Sequence, residues 1–66
     1  MFYKIDNKNV VNLEDISYIS VDKNPGSGLY DLRIFLKQVE HYMFVSFALE
    51  EDAIIAFNKL FDELNK

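Results

Sequence analysis

His41 is the only histidine of the chain and the first candidate for proton-transfer chemistry. A histidine acts in catalysis or metal binding when a carboxylate, a metal ion or a nucleophile is held beside it. Glu40 is its neighbour in the sequence, but adjacent side chains of a strand point to opposite faces of a sheet. We therefore interpret His41 as a surface residue of a turn and not as a catalytic base.

The other polar residues form no recognised catalytic or metal-binding motif. No nucleophile elbow or triad order surrounds any of the four serines. The segment 6–9 places Lys8 where a calcium-binding loop requires an oxygen ligand. Because the chain has no cysteine, a thiolate metal site is excluded. We predict no catalytic, metal-binding or cofactor-binding residues, and we expect that the protein is not an enzyme.

The segment 24–28 combines the only proline with both glycines of the chain. Gly26 and Gly28 flank Ser27, which suggests a phosphate-binding loop at first sight. Such a loop would continue into a lysine and a helix, and neither follows here. The composition is typical of a tight turn, so we predict a β-hairpin loop.

Four aromatic residues fall on one face of the predicted sheet, with two basic residues beside them. The aromatic residues are Tyr18, Phe35, Tyr42 and Phe44, and the basic residues are Arg33 and Lys37. Several proteins that bind single-stranded nucleic acids stack bases on aromatic rings placed among cations on an open sheet. The same apolar surface on a very small domain is also typical of a subunit interface.

The charge balance favours the interface interpretation. The chain has seven basic and eleven acidic side chains, a net charge of −4, and Asp22 and Asp31 lie near the two basic residues. Nucleic-acid binding requires several convergent cations that release counterions from phosphates. We therefore predict a homodimer or larger homo-oligomer with the four aromatic residues as candidate interface. Ile55, an apolar residue on the polar side of the helix described next, is added to this interface.

The segment 49–64 is predicted to form one amphipathic helix. A rotation of about 100° per residue aligns its apolar residues in one wide stripe. The stripe consists of Leu49, Ala53, Ala56, Phe57, Leu60, Phe61 and Leu64, with Ile54 at its margin. The acidic run 50–52 lies in the first turn, where carboxylates complement the helix dipole. We expect Phe57 and Phe61, the largest side chains of the stripe, to lie in the core.

Alternating apolar and polar residues predict four strands before the helix. Their expected ranges are 2–6, 17–23, 29–37 and 41–47, while Val10 and Val11 return antiparallel to the first strand and 12–16 forms a bend or single helical turn. The order of these elements predicts an α+β fold. We expect one domain, 1–66, in which a small antiparallel sheet of three to four strands carries the C-terminal helix on one face.

Composition bounds the class of protein. A chain this short hides only about 60% of the surface that its unfolded form exposes, so its stability is expected to be marginal without association. No apolar run approaches the roughly 20 residues of a membrane span, and Met1 leads into strand-like sequence without a signal-peptide pattern. With no cysteine, these features favour a cytoplasmic protein. Residues favoured by AT-rich codons make up nearly half of the chain, which indicates a bacterial or phage genome.

A local resemblance is carried by the run Leu13-Glu14-Asp15-Ile16-Ser17-Tyr18-Ile19, which a hairpin and an alternating strand follow. This run resembles the opening of LytTR-type DNA-binding domains. The likeness covers seven residues, and the basic reading segment of that family has no counterpart in this chain. No functional residue is carried over from it.

The sequence therefore predicts a non-enzymatic binding or inhibitory module. We expect it to act through homo-oligomerisation and through a protein partner or a small ligand held at the interface. The alternative is a single-stranded nucleic-acid binder that uses the aromatic face, with Arg33 and Lys37 as candidate contacts.

Overall fold

The chain forms five antiparallel strands followed by one helix, as the predicted α+β class requires. The computed structural model describes all residues, 1–66. The strands are β1 (Phe2–Lys4), β2 (Val10–Asn12), β3 (Ile16–Lys23), β4 (Tyr30–Leu36) and β5 (Tyr42–Phe47), and the helix is α1 (Glu50–Leu64). One 3₁₀ turn, Leu13–Asp15, joins β2 to β3. No helix is long and apolar enough to span a membrane.

Strands β1 and β2 form a two-stranded sheet of their own, separate from the main sheet. The first strand ends at Lys4, earlier than the predicted 2–6, because Asp6 organises the following turn. Its carboxylate accepts hydrogen bonds from the backbone amides of Lys8 and Asn9, both at 2.8 Å. The Lys8 amide and the Asn9 side chain thereby hold the pKa of Asp6 below its ordinary value.

The main sheet has the strand order β3-β4-β5, with antiparallel pairing throughout. Its register places Val21 opposite Leu32, and Leu32 opposite Val45. A β-bulge between Ile16 and Tyr18 interrupts the β3–β4 pairing near its start. Strands β4 and β5 each lie within one residue of the predicted bounds, and β3 begins one residue earlier than predicted.

Asn24 organises the predicted hairpin loop between β3 and β4. Its Oδ1 accepts hydrogen bonds from the amides of Gly26 (2.9 Å) and Ser27 (3.4 Å), and its carbonyl oxygen accepts one from the amide of Gly28 (2.8 Å). Gly28 has φ of +75°, a left-handed conformation that glycine adopts without steric cost. The sequence signals for this turn are therefore confirmed.

The core lies between α1 and one face of the main sheet. Ile34 from the central strand and Leu60 from the helix are fully buried and are its two largest enclosed side chains. Val11, Ile16 and Leu32 complete the buried cluster, so the small β1–β2 sheet also contributes to it. Only seven residues of the whole chain are buried. A core of this size provides little stability in excess of chain entropy.

The helix differs from its prediction at its start and on its flank. Leu49 has extended backbone angles and precedes the helix as its N-cap, and its side chain is exposed. Phe61 is 51% exposed, so the prediction that it lies in the core is wrong. Ala53 and Leu60 point directly at the sheet, and Phe61 is rotated about 100° from Leu60. Its ring therefore projects from the flank of α1, stacked on Phe57 at 6.4 Å between centroids.

Candidate interaction surface

The four predicted aromatic residues lie together on the sheet face opposite α1, and we call Tyr18, Phe35, Tyr42 and Phe44 the aromatic face. The register places Tyr18 opposite Phe35, and Phe35 opposite Tyr42, across the three strands. The Tyr18 and Phe35 rings are stacked with centroids 4.2 Å apart and an interplanar angle of 9°. Phe35 and Tyr42 follow at 4.9 Å, and Tyr42 and Phe44 at 6.3 Å. Strand pairing alone thus brings residues from three strands into one continuous row of rings.

The aromatic face is largely open to solvent. Tyr18 and Phe44 are each 56% exposed, whereas the central Phe35 is half-buried between its two tyrosine neighbours. Aromatic pairs gain about 0.5–1.5 kcal/mol beyond the area that they bury. The stacking therefore holds the outer rings in defined positions although no element covers them.

Arg33 is the only cation within the aromatic face, and its charge is already engaged. Its Nη1 lies 3.6 Å from Oδ2 of Asp22, and its guanidinium carbon lies 5.5 Å from the centroid of the Tyr42 ring. Asp22 also accepts a hydrogen bond from the Ser20 hydroxyl at 2.9 Å. Arg33 Nε is buried without a hydrogen-bond partner. This arrangement fixes the guanidinium against the sheet and leaves little positive charge free for a phosphate.

Asp31 is the only buried charged residue, at 2% exposure, and it adjoins the aromatic face on the central strand. Its Oδ1 accepts a hydrogen bond from the Ser46 hydroxyl at 2.7 Å, and its Oδ2 accepts one from Asn24 Nδ2 at 3.3 Å. These contacts connect strands β4 and β5 with the β3–β4 loop. The alternation of the strand predicts that Asp31 lies on this face, but nothing in the sequence predicts that it is buried.

The two remaining candidate residues lie apart from the aromatic face. Lys37 follows the end of β4 in an exposed turn. Ile55 is exposed on α1, which covers the opposite face of the sheet, so it belongs to a different surface. His41 occupies an exposed position just before β5. No group of three histidine, cysteine or acidic side chains is placed to hold a metal ion.

An apolar groove between α1 and β3 is a feature that the sequence analysis missed. It has a volume of about 430 Å³ and is lined chiefly by Ile16, Ile19, Phe57, Phe61 and Leu64, with no charged residue among its lining. The signal was present in the sequence, because the stripe of the helix is wider than one sheet face requires. The extra residues of the stripe, such as Phe61, lie on an open flank of α1 and not in the core.

No protein-family model matches the chain, and neither the curated proteins nor the solved structures include a significant match to it.

Proposed function

We propose that the chain is a small non-enzymatic binding or inhibitory module that acts through self-association and through a protein partner or a ligand held at the interface. The aromatic face carries this proposal, because it presents exposed, ordered rings on the side of the sheet that no element of the fold covers. Contiguous apolar surface of this kind on a small domain marks an interaction site. The cysteine-free, AT-biased composition supports a place in the cytoplasm of a bacterium or its phage.

The dimensions of the chain also support association. Its accessible surface is 4852 Å², whereas a folded monomer of this mass is expected to expose about 4,400 Å². Its radius of gyration is 11.5 Å, compared with about 10.8 Å for a compact domain of the same length. The chain therefore exposes more surface than its size requires, as subunits of an assembly do.

Phe44→Asp is expected to weaken self-association, because it places a charge on a surface that must be desolvated. Phe44 suits this test better than Phe35, whose ring is held within the stack and whose loss would also disturb the fold. Light scattering over a micromolar concentration range should show a smaller average mass for Phe44→Asp than for the wild type.

Val39→Asp is the matched control. Val39 is an exposed apolar residue in the turn between β4 and β5, so the same charge is added away from the aromatic face. Its mass should equal that of the wild type. A monomeric wild type, or equal effects of the two substitutions, would contradict self-association through this face.

The second candidate function is binding of single-stranded nucleic acid, which the stacked rings favour and the charges oppose. Lys23 lies over the Tyr30 ring, at 5.8 Å from its centroid, on the helix side of the sheet. Arg33 is therefore the cation nearest to the rings of the aromatic face, and it is already paired with Asp22. Phosphate contacts provide most non-specific affinity.

Labelled single-stranded oligonucleotides are expected to bind no tighter than roughly 10⁻⁴ M at physiological salt, the weak end of non-specific association. Fluorescence anisotropy measures this directly. A low-micromolar constant that weakens steeply with salt, and that is lost in Tyr42→Ala, would establish the nucleic-acid function in place of the first one.

A further inference from the structure

Strand β3 is an outer strand of the main sheet, and its free edge lies directly beside the apolar groove. The amide of Asn24 donates to the carbonyl of Leu29 at 2.7 Å, which makes these two residues a hydrogen-bonded pair. Bonded and non-bonded pairs alternate in an antiparallel ladder. The backbone groups of Ile19, Val21 and Lys23 therefore point away from β4, toward the free edge. They form a row of unpaired donors and acceptors, which is a template for another strand.

The flank of α1 above this edge is apolar from Ile54 onward, and Glu50 is the one acidic residue on it, in the first turn. The helix starts next to the end of the sheet formed by Phe47 and Lys23, and it finishes beside Ile16, so it runs antiparallel to β3. Along this flank, Ile54, Phe57 and Phe61 follow one another at intervals of three and four residues, the spacing of a helix–helix seam. Ile54 is 43% exposed and Phe61 is 51% exposed. The free backbone edge of β3 and the apolar side chains above it therefore form one continuous surface, and no charged residue lines the groove within it.

The opposite edge of the sheet, formed by β5, does not combine a free strand edge with an apolar helix flank. The backbone edge of β5 is equally free, but a rotation of about 100° per residue places Asp52, Lys59 and Glu63 on the flank of α1 above it. Two copies that met along β5 would have to bury these charged side chains. For a chain of net charge −4, association is least opposed where the fewest charged side chains have to be buried.

We propose that a second copy of this chain pairs antiparallel to β3 and forms a six-stranded sheet across a two-fold axis. This inference rests on the proposed self-association and adds a second interface to it. In the pair, β4 and its counterpart are three strand spacings apart, about 14 Å. Helices in direct contact are separated by only 8–10 Å. The Phe61 rings of both copies, each stacked on its own Phe57, fill this gap, which explains why Phe61 projects from the flank of α1 instead of lying in the core.

The two-fold axis passes beside Ser20. With the axis at this position, residues 17–23 of one strand pair with residues 17–23 of the other in the reverse order. Asp22 then lies opposite Tyr18 of the second copy, and Lys23 lies opposite its Ser17, so no like charges meet. It also brings Ile54 of one helix toward Phe61 of the other. The pairing places the two aromatic faces side by side on one surface. That surface is twice as large as the face of a single chain.

A cysteine at position 20 tests this register directly. Ser20 faces its own counterpart in a non-bonded pair with Cα atoms about 4.5 Å apart, within the range that a disulfide spans. The chain has no other cysteine, so Ser20→Cys can form only an intermolecular bond. Under mild oxidation at micromolar concentration, its disulfide-linked dimer should exceed that of Ser27→Cys, a matched control in the hairpin loop, roughly tenfold because pairing raises the effective thiol concentration.

Adding Phe61→Lys to Ser20→Cys should reduce crosslinking to the Ser27→Cys level while circular dichroism remains that of the folded chain. Phe61 is half exposed, so the substitution disturbs the seam more than the fold. Crosslinking of Ser20→Cys at the control level, or crosslinking that persists with Phe61→Lys, would overturn the edge pairing. If the edge pairing is overturned but Phe44→Asp still lowers the mass of the assembly, the proposed self-association through the aromatic face stands without the edge pairing. A wild type that is monomeric in light scattering would overturn both.

Discussion

Leu60→Ala is expected to lower the free energy of unfolding by about 2–5 kcal/mol, the cost of truncating a fully buried leucine. Leu60 is 0% exposed and contacts a cluster that also contains Val11, Ile16 and Ile34. A domain of this length has a total stability of about 3–10 kcal/mol. The substitution should therefore remove a large part of the stability of the domain. Urea denaturation followed by circular dichroism would measure it, with the midpoint lowered and the slope unchanged.

Phe61→Ala is the matched control for this experiment. Phenylalanine is the larger residue, but half of the Phe61 surface is already in solvent, so its truncation should cost only about 1 kcal/mol in the monomer. The comparison must be made at a concentration where light scattering shows monomers, because the proposed edge pairing adds a second role for Phe61. Equal losses for the two substitutions under that condition would show that the helix faces the sheet differently from the structure described.

Features with a local cause could be predicted from the sequence. The β3–β4 loop follows from the backbone freedom of Gly28 and the side-chain acceptor of Asn24. The helix start follows from the acidic run 50–52, and strand alternation correctly placed Tyr18 and Phe44 on the same face. Each of these signals acts within a few residues of chain, where spacing alone determines which groups meet.

Features that depend on tertiary placement could not be predicted in the same way. An apolar stripe wider than one sheet face shows that some of its residues must remain outside the core, but it does not show which ones. The orientation of α1 about its own axis determines which residues are buried. Leu60 is enclosed, whereas Phe61 stays on the flank. The separation of β1 and β2 from the main sheet was not predicted either, and the 3₁₀ turn Leu13–Asp15 lies between β2 and β3 where the two sheets part.

The burial of Asp31 also depends on tertiary placement, since its two partners come from the β3–β4 loop and from β5. An acidic residue within a strand such as YDLRIFL is usually solvated. Here the Ser46 hydroxyl and the Asn24 amide replace water as its donors. A buried carboxylate persists only with such hydrogen bonds. Asp31 therefore maintains the shape of the loop as well as the pairing of the strands.

Asp31→Ala is expected to destabilise the chain by about 1.5–3 kcal/mol, the usual contribution of hydrogen bonds to a charged group. The loss would leave the Ser46 hydroxyl and the Asn24 amide without an acceptor. It would also release Asn24, whose Oδ1 organises the hairpin loop. Urea denaturation of Asp31→Ala, Ser46→Ala and the double variant forms a cycle that isolates the interaction between these two residues.

The double variant should be more stable than the sum of the two single losses predicts, by about 0.5–3 kcal/mol, because residues in one hydrogen-bond network are coupled. Ser17→Ala is a suitable control, since Ser17 is exposed near the start of β3 and lies far along the sheet from Asp31 and Asn24. Its effect should add to that of Asp31→Ala within experimental error. Strict additivity of Asp31 with Ser46 would show that the 2.7 Å contact contributes nothing to stability.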